Sequence, residues 1–241
     1  MDNNELGVLL KDACKELGID LSSTQVNQFL DYKDFLLEYN TKVNLTAITD
    51  EREVILKHFV DSVTVCKFVD FKDKKIIDVG TGAGFPAVPI KIIQPNCNMV
   101  LLDSLNKRVK FLQELGDKIN LNNIGCLHMR AEDGGQHKDY REKFDYCVSR
   151  AVAHLSVLAE YDLPFVKVGG SLIALKGPLV DSELDEAQDA IKVLGGEIEK
   201  VESVKIPFSD INHKLVFIKK VRQTPKKYPR KAGKVTKDSI K

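Results

Sequence analysis

At 241 residues, with 43% hydrophobic and 29% charged side chains, the chain is long enough for one large domain, alone or with an extension. No apolar run reaches bilayer length, and the amino-terminal MDNNELGVLL lacks the basic-then-apolar layout of a signal peptide, so no membrane partner is expected and a cytoplasmic setting is. The five cysteines, Cys14, Cys66, Cys97, Cys126 and Cys147, are odd in number and include no C-x-x-C, which argues against a disulfide framework or a thiolate zinc site. The net charge of +1 hides an asymmetry: from Lys214 onward eleven Lys or Arg face one acid, a local +10 that suits a polyanionic partner.

Residues 5 to 59 read as helical. ELGVLLKDACKELG spaces Leu6, Leu9, Leu10, Ala13 and Leu17 on one face and ends at Gly18; SSTQVNQFLDYKDFLLEYN opens on hydroxyl caps; TDEREVILKHFVDSVTV has a cap at Thr49 or Asp50 and acids in its first turn. From residue 74 short apolar strands (75–79, 99–103, 126–130, 144–149, 171–176) alternate with helices near 86–94, 105–121, 154–163 and 181–194. That alternation predicts a parallel sheet covered on both faces and, with right-handed crossovers, a doubly wound Rossmann-like α/β fold. Two strands without a helix between them, 197–206 and 213–221, predict an antiparallel hairpin at the sheet's edge. The expected organisation is a helical extension or cap over 1–60, a core over 61–221, and a Pro- and Lys-rich tail over 222–241 that is disordered when free.

The stretch KKIIDVGTGAGFP (74–86) carries the chemistry. Gly80, Gly82 and Gly84 follow a strand, a helix is expected from Pro86, and Asp103 ends the next strand 25 positions after Asp78, where a ribose-binding carboxylate belongs. Together these predict a nucleoside cofactor rather than a purely structural turn. The third glycine comes one residue early for G-x-G-x-x-G, and the order D-x-G-x-G-x-G is nearer that of S-adenosylmethionine enzymes than of dehydrogenases.

The stretches NLTAI, LKHFVDS, DVGTGAGFPAVPIKI, LLDSLNKRVKFL, RAE, VSRAVAHLSVLAEYDLPFVKVGG, ALKG and TPKKYPRKAG resemble the RsmG family, also called glucose-inhibited division protein B, over about residues 20 to 235. The resemblance implies a class I methyltransferase of seven strands that moves a methyl group from S-adenosylmethionine to guanine N7 in the 530 loop of bacterial 16S ribosomal RNA; a monomer is expected. It places Gly80 and Phe85 at the cofactor with Gly82 and Gly84 in the same turn, Asp103 at the ribose, Ala131 and Glu132 beside the adenine, and Arg150 against the cofactor. The alternative is an S-adenosylmethionine-dependent methyltransferase acting on another RNA, a protein or a small molecule.

Plainer roles stand beside these. Asp78 fits a brace for its own turn as well as a ligand contact, and Asp103 fits a cap for the helix at 105. Arg150, at the end of a central strand, suits the cofactor carboxylate, an RNA phosphate or a structural acid such as Asp61. His58 and Asp61, three apart, suit a helix-end pair or a lid over the cleft. Cys147 reads as core, and the basic end as an RNA-binding segment with Tyr228 free to stack. Guanine N7 carries a lone pair and no proton, so no catalytic general base and no metal are expected; His58, Asp61 and Arg150 are the substrate-side candidates.

Overall fold

The computed structural model describes every residue except 151, 152, 179, 238, 239 and 241. Asp238 and Lys241, part of the charge of the basic end, and Ala151 and Val152, part of the VSRAVAHL stretch, therefore lie outside the described residues.

Two capping boxes start the amino-terminal helices: the Asp2 carboxylate takes the Glu5 N–H ahead of α1 (Asn3–Glu16), and the Ser22 hydroxyl takes the Gln25 N–H ahead of α2 (Ser23–Asn40). Gly18, at φ +77°, ends the first as expected. The third helix is not regular. Short α3 (Glu51–Glu53) runs into a π-helical stretch (Val54–Val60), short α4 (Asp61–Val63) and a 3-10 turn (Thr64–Lys67).

The alternating part follows as β1 (Lys75–Val79), α5 (Ala87–Ile93), β2 (Asn98–Asp103), α6 (Asn106–Lys118), β3 (Ile124–His128), α7 (Ala131–Gly134), β4 (Phe144–Ser149), α8 (Leu155–Asp162), β5 (Val166–Lys176), α9 (Val180–Val193), β6 (Gly196–Lys205) and β7 (Asn212–Lys220). The seven strands lie in the order β3-β2-β1-β4-β5-β7-β6. All neighbours are parallel except that β7 runs antiparallel to both β5 and β6, so the terminal hairpin closes one edge as its sequence requires. The strand order reverses at β1 and β4, which opens a crevice beyond their carboxyl ends.

Two boundaries differ from expectation for identifiable reasons. β3 begins two residues early because Ile124 pairs with Met99. β5 begins at Val166 rather than 171: Gly169 and Gly170 mark an irregularity inside the strand, where a Cβ on Gly170 would sit 2.4 Å from the Asp145 carbonyl, and not its start.

Hydrophobic clusters cover both faces of the sheet. One face is covered by α5, α6 and the amino-terminal helices, so that Leu10, Phe29, Tyr32 and Leu36 share a cluster with Ile76, Ile90 and Phe111. The segment 1–60 thus buries its apolar side against the sheet layer. The other face carries Ile77, Cys147, Leu158, Phe165 and Ile191; Cys147 is core, and burial drives its thiol pKa well up. Each fully buried Leu, Ile or Phe contributes about 1.5–3 kcal/mol. Among the described residues no helix is long and apolar enough to cross a membrane.

Candidate active site

The glycine turn is built from both ends. Gly80 and Thr81 N–H groups donate to the Leu102 carbonyl at 2.8 and 3.1 Å, and the Gly82 N–H donates to Asp103 Oδ2 at 2.9 Å. Asp103 Oδ1 accepts from the Leu105 N–H, and Arg108 lies 3.4 Å from Oδ2. Asp103 is therefore buried as a brace between turn and helix. Asp78 is likewise a brace: buried, it accepts from the Ala87 N–H at 3.3 Å, and burial pushes its pKa up to about 8. Gly84 has φ +99°, and a Cβ there would meet Val88 at 2.7 Å and the Tyr32 hydroxyl at 2.8 Å. That hydroxyl donates to the Ala83 carbonyl, so α2 holds the turn from behind. A Cβ on Gly80, at φ +75°, would meet nothing.

Beyond the turn lies a cleft of about 440 Å³. Of the sequence-derived residues, Gly80, Ala131, Glu132 and Arg150 line it, together with Leu102, Ser104, Arg130, Leu158, Tyr161 and Asp162. Gly82, Gly84, Phe85 and Asp103 are not among its lining residues. Phe85 backs Arg150, whose guanidinium carbon sits 4.7 Å from the ring centroid, while Tyr32 and His58 stack on the same ring.

Arg150 is the joint between this cleft and a second one of about 430 Å³, lined by Lys57, His58, Asp61, Lys176, Pro178, Asn212 and His213 among others. Its Nη1 donates to Asp61 Oδ2 at 2.9 Å and to the Lys57 carbonyl at 3.1 Å; its Nη2 donates to His58 Nδ1 at 2.9 Å. His58 Nδ1 is thereby an acceptor, which leaves Nε2–H for Thr46 Oγ1 at 2.8 Å. Burial, and then the adjacent Arg150 charge, hold the His58 pKa down at about 3, so the ring is neutral. Burial alone raises the Asp61 pKa, but a short contact with His213 and the Arg150 charge outweigh it and hold the carboxyl ionised. His58 and Asp61 do not pair with each other; both hold Arg150, and the structural-acid role weighed for that arginine is realised.

The basic end differs from expectation. Tyr228, read as free to stack, is 8% exposed and packs in the hydrophobic cluster; Val235 is buried. Arg141 donates to the carbonyls of Tyr228 and Thr224 at 2.8 and 2.7 Å, and Arg230 forks onto the buried Glu160 at 2.9 and 2.6 Å. Residues 222–237 are thus strapped to the body instead of hanging free, by polar anchors contributed from elsewhere in the chain. Lys226, Lys227, Lys231, Lys234 and Lys237 face solvent. Three of them border a recess shared with Glu132 and Asp133 at the rim of the first cleft.

His213, Tyr32 and Thr46 are site residues that sequence reasoning missed, and nothing in local spacing points to them. Asp162 was also missed, but a signal existed: with Leu155, Leu158 and Ala159 it completes an i, i+3, i+4, i+7 set, placing an acid on the buried face of α8.

S-adenosylmethionine fits these residues. An open glycine cradle lies beside buried polar atoms that lack protein partners: Asp78 Oδ1, Thr81 Oγ1, Ser149 Oγ and both oxygens of Asp162. Solved structures with the same sheet agree on the fold. TrmN from Thermus thermophilus matches with TM-score 0.52 at 16% identity over 76% of this chain and 52% of that one. TYW2 from M. jannaschii, in complex with AdoMet, matches with TM-score 0.50 at 13% identity over 63% and 69%. In sequence, the Ribosomal RNA small subunit methyltransferase G of Alkaliphilus oremlandii is 55% identical over 98% of this chain and all of its own length, and that of Acetivibrio thermocellus is 50% identical over the whole of both. The sequence pattern of the GidB family, described as rRNA small subunit methyltransferase G, matches residues 25–214. With most of its length inside that pattern and half its residues shared with these relatives, the chain belongs to the GidB family of small-subunit ribosomal RNA methyltransferases.

Proposed function

We propose that the chain transfers the methyl group of S-adenosylmethionine to N7 of a guanine in the 530 loop of 16S ribosomal RNA, acting as a cytoplasmic monomer on naked RNA or an assembling small subunit. The observation that carries this reading is the meeting of two clefts at Arg150: one beside the glycine turn for the donor, the other, rimmed by Lys57, Lys176 and His213, for the base.

When bound, S-adenosylmethionine supplies an electrophilic methyl on a sulfonium centre. Gly80, Ala131 and Glu132 hold it, and Asp103 keeps the turn in shape from behind. N7 needs no proton removed, and the second cleft offers no free base: His58 is neutral with its acceptor nitrogen taken by Arg150, and Asp61 is paired twice. These residues fix Arg150 in place, and the work left to them is alignment and exclusion of water. In A-form RNA, N7 lies in a narrow groove closed to side chains, so the acceptor is a loop guanine that can enter the cleft. The solvent-facing lysines of the basic end supply phosphate contacts that position the RNA without choosing its sequence.

The test is to incubate the protein with labelled S-adenosylmethionine and unmodified small subunits, then map the modified base. Label at N7 of one loop guanine is expected. Label on another atom, or equally efficient labelling of a short unstructured guanine oligonucleotide, would overturn the reading.

A further inference from the structure

Asp162 is the acid the mechanism leaves unused. It closes α8 with no exposed surface, lines the donor cleft, and has no hydrogen bond of good geometry on either oxygen, the Ser149 hydroxyl being a polar neighbour that acts on it weakly. A carboxyl in that state is costly unless something outside the protein completes it.

S-adenosylmethionine brings two cations, a sulfonium and an ammonium, and one carboxylate. The cleft itself presents two arginines, Arg130 and Arg150, and one further acid, Glu132. Arg150 is balanced by Asp61, but a ligand with a net positive charge still enters a pocket with no surplus of fixed negative charge. Of the other buried acids nearby, Asp78 on β1 bonds the Ala87 N–H and Asp103 bonds the Gly82 and Leu105 N–H groups, and neither lines the cleft. We propose that the Asp162 carboxyl is the counter-ion for the cationic methionyl end of S-adenosylmethionine and releases its proton to solvent when the donor binds.

The surroundings fit a proton held until then. Burial drives the Asp162 pKa well up and outweighs the lowering by the Ser149 hydroxyl; Asp78, itself largely neutral at pH 7, adds to the rise where it ionises. The other titratable groups acting at this spot are Cys147 on β4 and Tyr161 on α8, with Glu132, Glu160 and Arg130 near that tyrosine. Burial raises both the thiol and the phenol, so neither brings a charge near neutral pH. The free protein carries a neutral acid; the cation makes the ionised form the stable one, and donor affinity therefore rises with pH.

Calorimetry of the full chain tests this directly. Titrating S-adenosylmethionine at about pH 7 in two buffers of different ionisation enthalpy is expected to show release of up to one proton and an affinity rising by up to tenfold per pH unit. Asp162→Asn, which keeps shape and removes the proton, is expected to abolish the release and weaken donor binding about tenfold or more; Asp78→Asn is expected to keep the release. S-adenosylhomocysteine, which retains the ammonium and lacks the sulfonium, distinguishes the two cations: the same release assigns the ammonium, no release assigns the sulfonium. No proton release from the wild type, or unchanged release and affinity in Asp162→Asn, would overturn the proposal. Should Asp162→Asn fail to fold, the wild-type and Asp78→Asn titrations together decide: loss of the release in Asp78→Asn overturns the proposal.

Discussion

The two clefts share Arg150 and differ in how their polar groups are satisfied. On the donor side, Asp78 Oδ1, Thr81 Oγ1 and the whole Asp162 carboxyl lack protein partners. On the acceptor side the polar groups are matched within the protein: Arg150 with Asp61 and the neutral His58 ring, Asp61 with His213, His58 with Thr46. The difference teaches that one cleft leaves buried polar groups for a ligand to complete, whereas the other is already closed on itself; on the proposed reading the second asks its base only to fit.

The severest way to break the comparison is to remove its joint. Arg150→Met leaves the Asp61 carboxylate without its cation in a largely buried place, so a stability loss of about 3 kcal/mol is expected in urea melts. Methyl transfer to small subunits should fall by about 100-fold or more as alignment is lost. Arg150→Lys should not restore it, because one ammonium cannot serve Asp61, His58 and the Lys57 carbonyl in a fork.

Next in size is a pair of glycine changes that separates packing from ligand binding. Gly84→Ala drives a methyl into Val88 and the Tyr32 hydroxyl at a positive φ and should cost about 1–3 kcal/mol, seen as a lowered melting temperature. Gly80→Ala meets open space, so a stability loss of about 1 kcal/mol from backbone strain is expected while donor binding weakens in calorimetry. Equal melting temperatures for the two variants would remove the distinction.

Acid sharpens the acceptor side. The His58 pKa is lowered in the folded state, so the unfolded chain takes up the proton first and stability falls with pH below about 6.5. The loss attributable to this ring should reach about 2 kcal/mol at about pH 5. His58→Gln should lack that part of the acid loss in urea melts at the two pH values.

The smallest effects belong to the basic end. Because Tyr228 and Arg230 are anchors, deleting residues 222–241 would unpair Glu160 and expose core. Changing Lys226, Lys227 and Lys231 to Gln is cleaner, and RNA affinity should lose about one unit of salt slope per lysine with little change in donor binding. An unchanged slope would remove the segment from the RNA interface.

How much of this could be read from sequence follows from range. The strands, the hairpin and the glycine turn write their patterns within a few residues, and β1 and β4 fall where their apolar runs lie. The π-helical stretch was not legible, because VILKHFV reads as an ordinary helix and only the packed fold shows how its Lys57 carbonyl meets Arg150. The strapped basic end was missed because its anchors, Arg141 and Glu160, lie about 70 to 90 residues away. His213 meets Asp61 across 152 residues, a pairing no local rule can reach. Asp162 alone among the missed groups left a trace, as an acid where helical periodicity asks for an apolar side chain.

The Tyr32 hydroxyl bonded to the Ala83 carbonyl makes α2 a rear wall for the phosphate-free nucleoside turn. A shortened protein beginning at the first strand would lose that buttress together with the aromatic stack behind Arg150. The smallest unit able to hold the donor therefore includes the leading helices, and trimming toward a bare sheet would dismantle the pocket it was meant to isolate.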